Sequence, residues 1–139
     1  MNASRLPFLL FPLVLAGCHP PDSMREAFTS GTPPVIESVS THPAAGGPPA
    51  VIAEIGFHSS DGNVVAIHRD MIAADPARPH GFLSDTGVDA APDQQKRGAV
   101  YLDRWTCAEE PVHARVRAYL IDSNHHHSNP VDYAIDCPG

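Results

Sequence analysis

Nine histidines are the one unusual count in this 139-residue chain, and three stand in a row as His125-His126-His127. Imidazole nitrogens and carboxylate oxygens are the donors that hold Zn²⁺, Ni²⁺ or Cu²⁺. The run follows Asp122 closely, and His58 and Asp61 flank a second turn, Ser60-Asp61-Gly62-Asn63. Consecutive side chains point apart, so His125 and His127 are the pair expected to share one ion, with His58, Asp61 and Asp122 as further donors. Asp61, Asn63, Asp122 and Asn124 offer a second set, of oxygen donors suited to calcium. Against both readings, the spacing contains no H-x-x-x-H or H-E-x-x-H signature. Asp and Asn are also ordinary turn residues, because their side chains bond local backbone. A solvated, His-rich loop is the competing account.

Catalytic patterns are weaker. No G-x-S-x-G elbow occurs, and no Gly-rich phosphate loop follows a strand pattern. The paired carboxylates Glu109-Glu110 adjoin Pro111 in what reads as a surface turn. Trp105 and Tyr119 fit a core or sheet face better than a sugar-stacking platform. A small hydrolase is therefore the third reading, behind a binding or structural protein and a metal-binding one.

The three cysteines divide into one and two. Met1 to Arg5 carries a single positive charge and precedes the apolar run Leu6 to Leu15, then small residues and Cys18. Charged start, apolar run and small-residue site are the parts of a secretory signal. The run is about half of what a membrane-spanning helix needs. Its last residues and the cysteine, Leu15-Ala16-Gly17-Cys18, resemble the lipobox of bacterial lipoproteins. That resemblance implies cleavage after residue 17, acylation of Cys18, and stable anchoring by two or more chains, at ~0.8 kcal/mol per buried methylene. In such lipoproteins an Asp after the cysteine retains the protein at the inner membrane. His19 stands there instead, which implies sorting to the outer membrane, facing the periplasm. Export brings an oxidising compartment, in which Cys107 and Cys137 are expected to pair. A bridge closing about 30 residues would contribute roughly 3–4 kcal/mol.

Bulk properties narrow the partners. Nine Lys and Arg stand against 16 Asp and Glu, for a net charge of −7. No basic stripe is dense enough for phosphate, which excludes nucleic acid as the natural partner. An acidic exterior gives no attraction to anionic lipid beyond the anchor. The envelope membrane, through acylated Cys18, and another envelope protein are the partners expected.

The elements that must position these side chains are strands. Residues 18–33 are polar and Pro-rich and read as a tether, reaching about 45–50 Å when extended. Residues 34–138 read as one domain. Pro34 to Ser40 is a first strand, its prolines tolerable only at a strand start or sheet edge. Val51 to His58 alternates, with Val51, Ala53, Ile55 and Phe57 on one face. Ser60-Asp61-Gly62-Asn63 then reads as a hairpin turn, answered by a strand from Val64 to Arg69. Between 70 and 97 the pattern supports one or two edge strands near Gly81 to Ser84 and a helical turn at Asp93 to Arg97. Ala99 to Trp105, Val112 to Asp122 and Pro130 to Cys137 complete the set. Short turn-separated strands without a long helix predict an all-β, antiparallel sandwich of about seven strands.

Pro34-Val35-Ile36-Glu37-Ser38-Val39, Ser60-Asp61-Gly62-Asn63-Val64, Asp122-Ser123-Asn124 and Ser128-Asn129-Pro130-Val131 are similar to motifs of bacterial immunoglobulin-like modules. Those modules open on a Pro-x-Ile-x-x-Val strand and end on a hairpin ending in S-N-P-V. The resemblance covers about 34–69 and 112–137, with His125-His126-His127 where the family carries a glycine. It implies an immunoglobulin-like β-sandwich and a spacer, adhesive or docking role, not an activity. In such a sandwich Cys107 and Cys137 fall at one pole, and the turns around Asp61 and Ser123 to Asn129 at the other. His58, Asp61, Asp122, His125 and His127 are then expected to converge.

Overall fold

The strand from Val112 to Asp122 alternates without a break. Ala114, Val116, Ala118 and Leu120 turn inward, while His113, Arg115 and Arg117 face solvent. A strand with one apolar and one charged face must lie in a sheet covered on one side only. The computed structural model, which describes residues 30–75, 81–107 and 112–138, builds that sheet and a second one facing it. Cys18, the signal-like segment before it and the tether as far as Thr29 lie outside the described residues, as do Glu109 and Glu110.

Seven strands and one short helix follow in order: β1 (Val35–Pro43), β2 (Ala50–His58), β3 (Val64–Asp75), β4 (Gly81–Gly87), α1 (Pro92–Arg97), β5 (Ala99–Thr106), β6 (Val112–Asp122) and β7 (Val131–Cys137). One sheet has the order β1-β2-β5 and the other β4-β3-β6-β7, every pairing antiparallel. The fold is the all-β sandwich of seven strands that the patterning predicts. Ile55 and Phe57 of β2 meet Ile67 of β3 and Val116 and Leu120 of β6 in the core. Each such side chain contributes about 1.5–3 kcal/mol when fully buried.

The turn at Ser60 to Asn63 is not a hairpin. β2 pairs with β1 and β5, and β3 with β4 and β6, so the chain crosses from one sheet to the other between His58 and Val64. The short helix supplies what a hairpin partner would have supplied. The side-chain oxygen of Gln95 accepts the Val64 N–H at 2.8 Å, and its amide group donates to the carbonyls of Val64 at 3.1 Å and Ala90 at 2.7 Å. Its backbone carbonyl accepts the Ser59 N–H at 3.0 Å. Gln95 is only 2 % exposed, and a glutamine this buried is stable because each of its polar atoms is paired. Gly62 takes φ +63° close against the carbonyl of Pro92, where a side chain would collide.

The described residues between 70 and 97 form an edge strand and a helical turn as expected, and the strands are longer than expected. β3 runs on to Asp75, with register shifts at Val64/Ala66 and Met71/Ala73 against β6, and β4 spans seven residues. α1 starts on Pro92, a favoured first helical residue because its missing N–H would be unpaired there anyway. At the far end of the sandwich Cys107 and Cys137 are bonded, with Cα atoms 5.4 Å apart, so the bridge ties β5 of one sheet to β7 of the other.

Candidate functional site

The two turns rich in His, Asp and Asn do adjoin. The Ser123 N–H donates to the Asn63 carbonyl at 2.9 Å, and the Asn63 amide reaches the Ser123 hydroxyl at 3.4 Å. Between them enters the chain leading into β1. An Asp61 carboxylate oxygen accepts the Thr32 N–H at 2.8 Å, and the Asn124 amide donates to the Ser30 carbonyl at 3.2 Å. Gly31, at φ +110°, fits beneath these side chains; a Cβ there would stand 2.8 Å from Asp61 Oδ2 and 3.1 Å from Asn124 Nδ2. The pole is a clasp on the incoming chain.

Asp122 forms the floor of that clasp. One of its oxygens accepts the N–H groups of Asn124 at 2.9 Å and His126 at 2.8 Å, and the other lies 2.9 Å from His126 Nδ1. Burial pushes this carboxyl up. The backbone N–H of His126, its ring and the N–H of Asn124 outweigh that and hold it below its ordinary value of 3.8. A carboxyl whose folded value is depressed stabilises the fold fully above its unfolded value and loses that contribution as pH falls through the folded one. Acid titration is therefore expected to loosen the 122–126 loop below pH ~4, read as faster amide exchange at Asn124 and His126. Asp122→Asn should abolish that dependence at these two amides.

The expected metal set is not assembled. His126, the residue passed over, packs inward on Asp122. His125 takes φ +64° and is exposed. His127 lies outside too, its ring 4.5 Å from that of Tyr119, which in turn stacks on His68 at 4.6 Å. His58 ends β2 opposite Val35 in the strand ladder. The middle histidine is the one that turns toward Asp122, directly after the left-handed residue at 125. Among the described residues no group of three or more His, Cys, Asp or Glu side chains is placed to hold a metal ion. Of the oxygen donors, Asp61 and Asp122 accept backbone N–H groups, Asn63 Oδ1 lies 3.3 Å from the Ser59 hydroxyl, and the Asn124 amide donates to the Ser30 carbonyl.

A second polar cluster, unforeseen from sequence, lies between the sheets. Asp103 of β5, 3 % exposed, pairs with the Arg69 guanidinium of β3. Its other oxygen accepts from Trp105 Nε1 and the Tyr133 hydroxyl, both at 2.7 Å. Arg69 also donates to the hydroxyls of Ser84 and Thr86 on β4 and lies 5.8 Å from the Trp105 ring centre. Its Nε is buried with no hydrogen-bond partner among the described residues. Burial, then the adjoining Asp103, drives the Tyr133 hydroxyl far above its ordinary value, so it remains a donor across the physiological range. The signal available in sequence was the β5 alternation, which sets Tyr101, Asp103 and Trp105 on one face and Val100, Leu102 and Arg104 on the other. Neither face reads as plainly apolar.

What these groups define is a β-sandwich protein whose polar residues pin its own chain at one pole and join its two sheets at the centre. Comparison of the chain with known protein families, with curated protein sequences and with solved structures found no match.

Proposed function

We propose that this chain is a lipid-anchored protein of a bacterial cell envelope with a non-enzymatic role, binding or structurally supporting another envelope component. The observation that carries this reading is Leu15-Ala16-Gly17-Cys18, at the end of a short apolar run and ahead of a polar tether. Three features support it. No helix among the described residues is long and apolar enough to cross a membrane. The Cys107–Cys137 bond suits an exported domain. The carboxylates gathered at the His-rich pole hold backbone groups, which is a structural duty. We read the sandwich itself as an immunoglobulin-like docking module, a reading supported by the order β1-β2-β5 facing β4-β3-β6-β7. His19 after the acylated cysteine favours the outer membrane, facing the periplasm.

Cys18→Ser removes the acyl acceptor. The variant is expected to move from the membrane to the soluble fraction, and the parent chain to carry a mass increment matching diacylglycerol at Cys18. Full membrane retention of Cys18→Ser would exclude the anchor.

A further inference from the structure

Val100 and Leu102 are the most exposed large hydrophobic side chains among the described residues, at 57 % and 58 %, and both lie on the outward face of β5. β5 is also a sheet edge: β2 bonds one side, and no described strand lies along the other. Alternate N–H and C=O groups of an edge strand point away from the sheet and form a template for another strand. The opposite edge of the same sheet is guarded. β1 has a bulge between Ile36 and Ser38 and ends in Pro43, and Asn129 bonds both backbone groups of Ile36, at 2.8 and 3.0 Å, as a neighbouring strand would. β5 has no proline, no lysine and no register shift against β2.

Charge indicates which strand would fit. Arg69, Arg115 and Arg117 are committed to Asp103 and Asp132. Lys96, Arg97 and Arg104 are exposed and form no ion pair among the described residues. Arg104 lies on the outward face of β5 with Val100 and Leu102, and Lys96 and Arg97 end α1 just before the strand, the Lys96 chain lying over Gly62. Among the described residues this is where positive charge without an ion pair gathers. An open trough of about 490 Å³, with Asp89 in its lining, lies beside it between Val88–Ala90 and Ala99–Leu102.

We propose that the free edge of β5 takes an extended acidic peptide by strand addition. Its alternate apolar residues lie on Val100 and Leu102, and its carboxylates meet Arg104 at one end and Arg97 at the other. Backbone bonds supply affinity in such a complex and the alternating side chains supply selectivity. A second copy of this chain fits less well: β5 paired antiparallel with itself about Leu102 sets Arg104 against Val100. The proposal rests on the docking reading above in taking a protein as the partner.

The test uses the full chain in detergent and a labelled peptide of about nine residues, the length of a strand, with alternating valine and threonine between paired glutamates. Lysine-flanked and proline-interrupted peptides of equal length serve as controls. Saturable binding of the glutamate-flanked peptide alone is expected, weakening with salt and protecting β5 amides from exchange. Arg104→Glu and Leu102→Asp, both at exposed positions, should each weaken it roughly tenfold or more. The proposal is overturned by absence of binding, by equal binding of the lysine-flanked peptide, or by indifference to both substitutions. Self-association of the free chain that Leu102→Asp abolishes would overturn it too, in favour of a paired edge between copies. Neither readout depends on Cys18. Peptide binding with Cys18→Ser still in the membrane would sink the anchor alone, and release of Cys18→Ser without peptide binding would sink the edge alone.

Discussion

Asp103→Ala is expected to cost about 3–5 kcal/mol of stability, the range for removing one partner of a buried ion pair. The loss has three parts. The Arg69 guanidinium keeps its charge between the sheets with the hydroxyls of Ser84 and Thr86 as its remaining hydrogen-bond acceptors among the described residues. Trp105 Nε1 and the Tyr133 hydroxyl lose their acceptor, and an unmet buried donor costs about 1–3 kcal/mol. At roughly 4–8 °C per kcal/mol for a domain of up to 100 residues, the thermal midpoint should fall by well over 10 °C. The sharper test replaces charge and hydroxyl together, as Arg69→Met, Asp103→Leu, Tyr133→Phe. Since apolar substitutes for a buried pair are often neutral or stabilising, the triple variant should recover most of what the single one loses. A midpoint for Asp103→Ala within a degree or two of the parent would show that the cluster contributes nothing net. A triple variant as weak as the single one would show that its geometry, not its pairing, matters.

Loss of the Cys107–Cys137 bond is the second large effect. The bond closes a loop with a sequence separation of 30, for which the chain-entropy account gives about 3–4 kcal/mol. It joins strands of opposite sheets, β5 and β7, so opening it frees the sheets at the pole away from the clasp. Cys107→Ser with Cys137→Ser, or reductant on the parent, is expected to lower the stability in water by that amount and to raise the m-value, because the unbridged denatured chain exposes more surface, and both lower the denaturant midpoint. A midpoint indifferent to reductant, together with two reactive thiols in the denatured, unreduced chain beyond Cys18, would mean the cysteines are not bridged.

Much of the fold was legible because alternation is a local signal. β6 begins and ends where Val112 and Asp122 predicted, and the inward set of β2 is the one chosen from the period of two. The crossing between sheets was not legible. Ser60-Asp61-Gly62-Asn63 has turn chemistry, and turn chemistry alone does not say whether the next strand returns beside the last or joins the facing sheet. That choice is made by Gln95, thirty-one residues beyond Val64. The site was legible as a juxtaposition only. Sandwich topology brought the turns of Asp61 and Asp122 together, but which histidine turns inward depended on the left-handed residue at 125. The Arg69–Asp103 pair was hidden for a related reason: a lone acid among Tyr101 and Trp105 reads as an outward residue until the opposing sheet presents its cation.

The clasp on residues 30–32 also sets a direction. An elastic leash fixed at an arbitrary point would let its load tumble, but Asp61 and Asn124 grip this one at a defined end of the sandwich. Under the proposed acyl anchor, the histidine end is the one at which the tether enters and the disulfide-tied end is the far one. The β5 edge runs between these two ends, from Ala99 beside Phe57 to Thr106 beside Ala50.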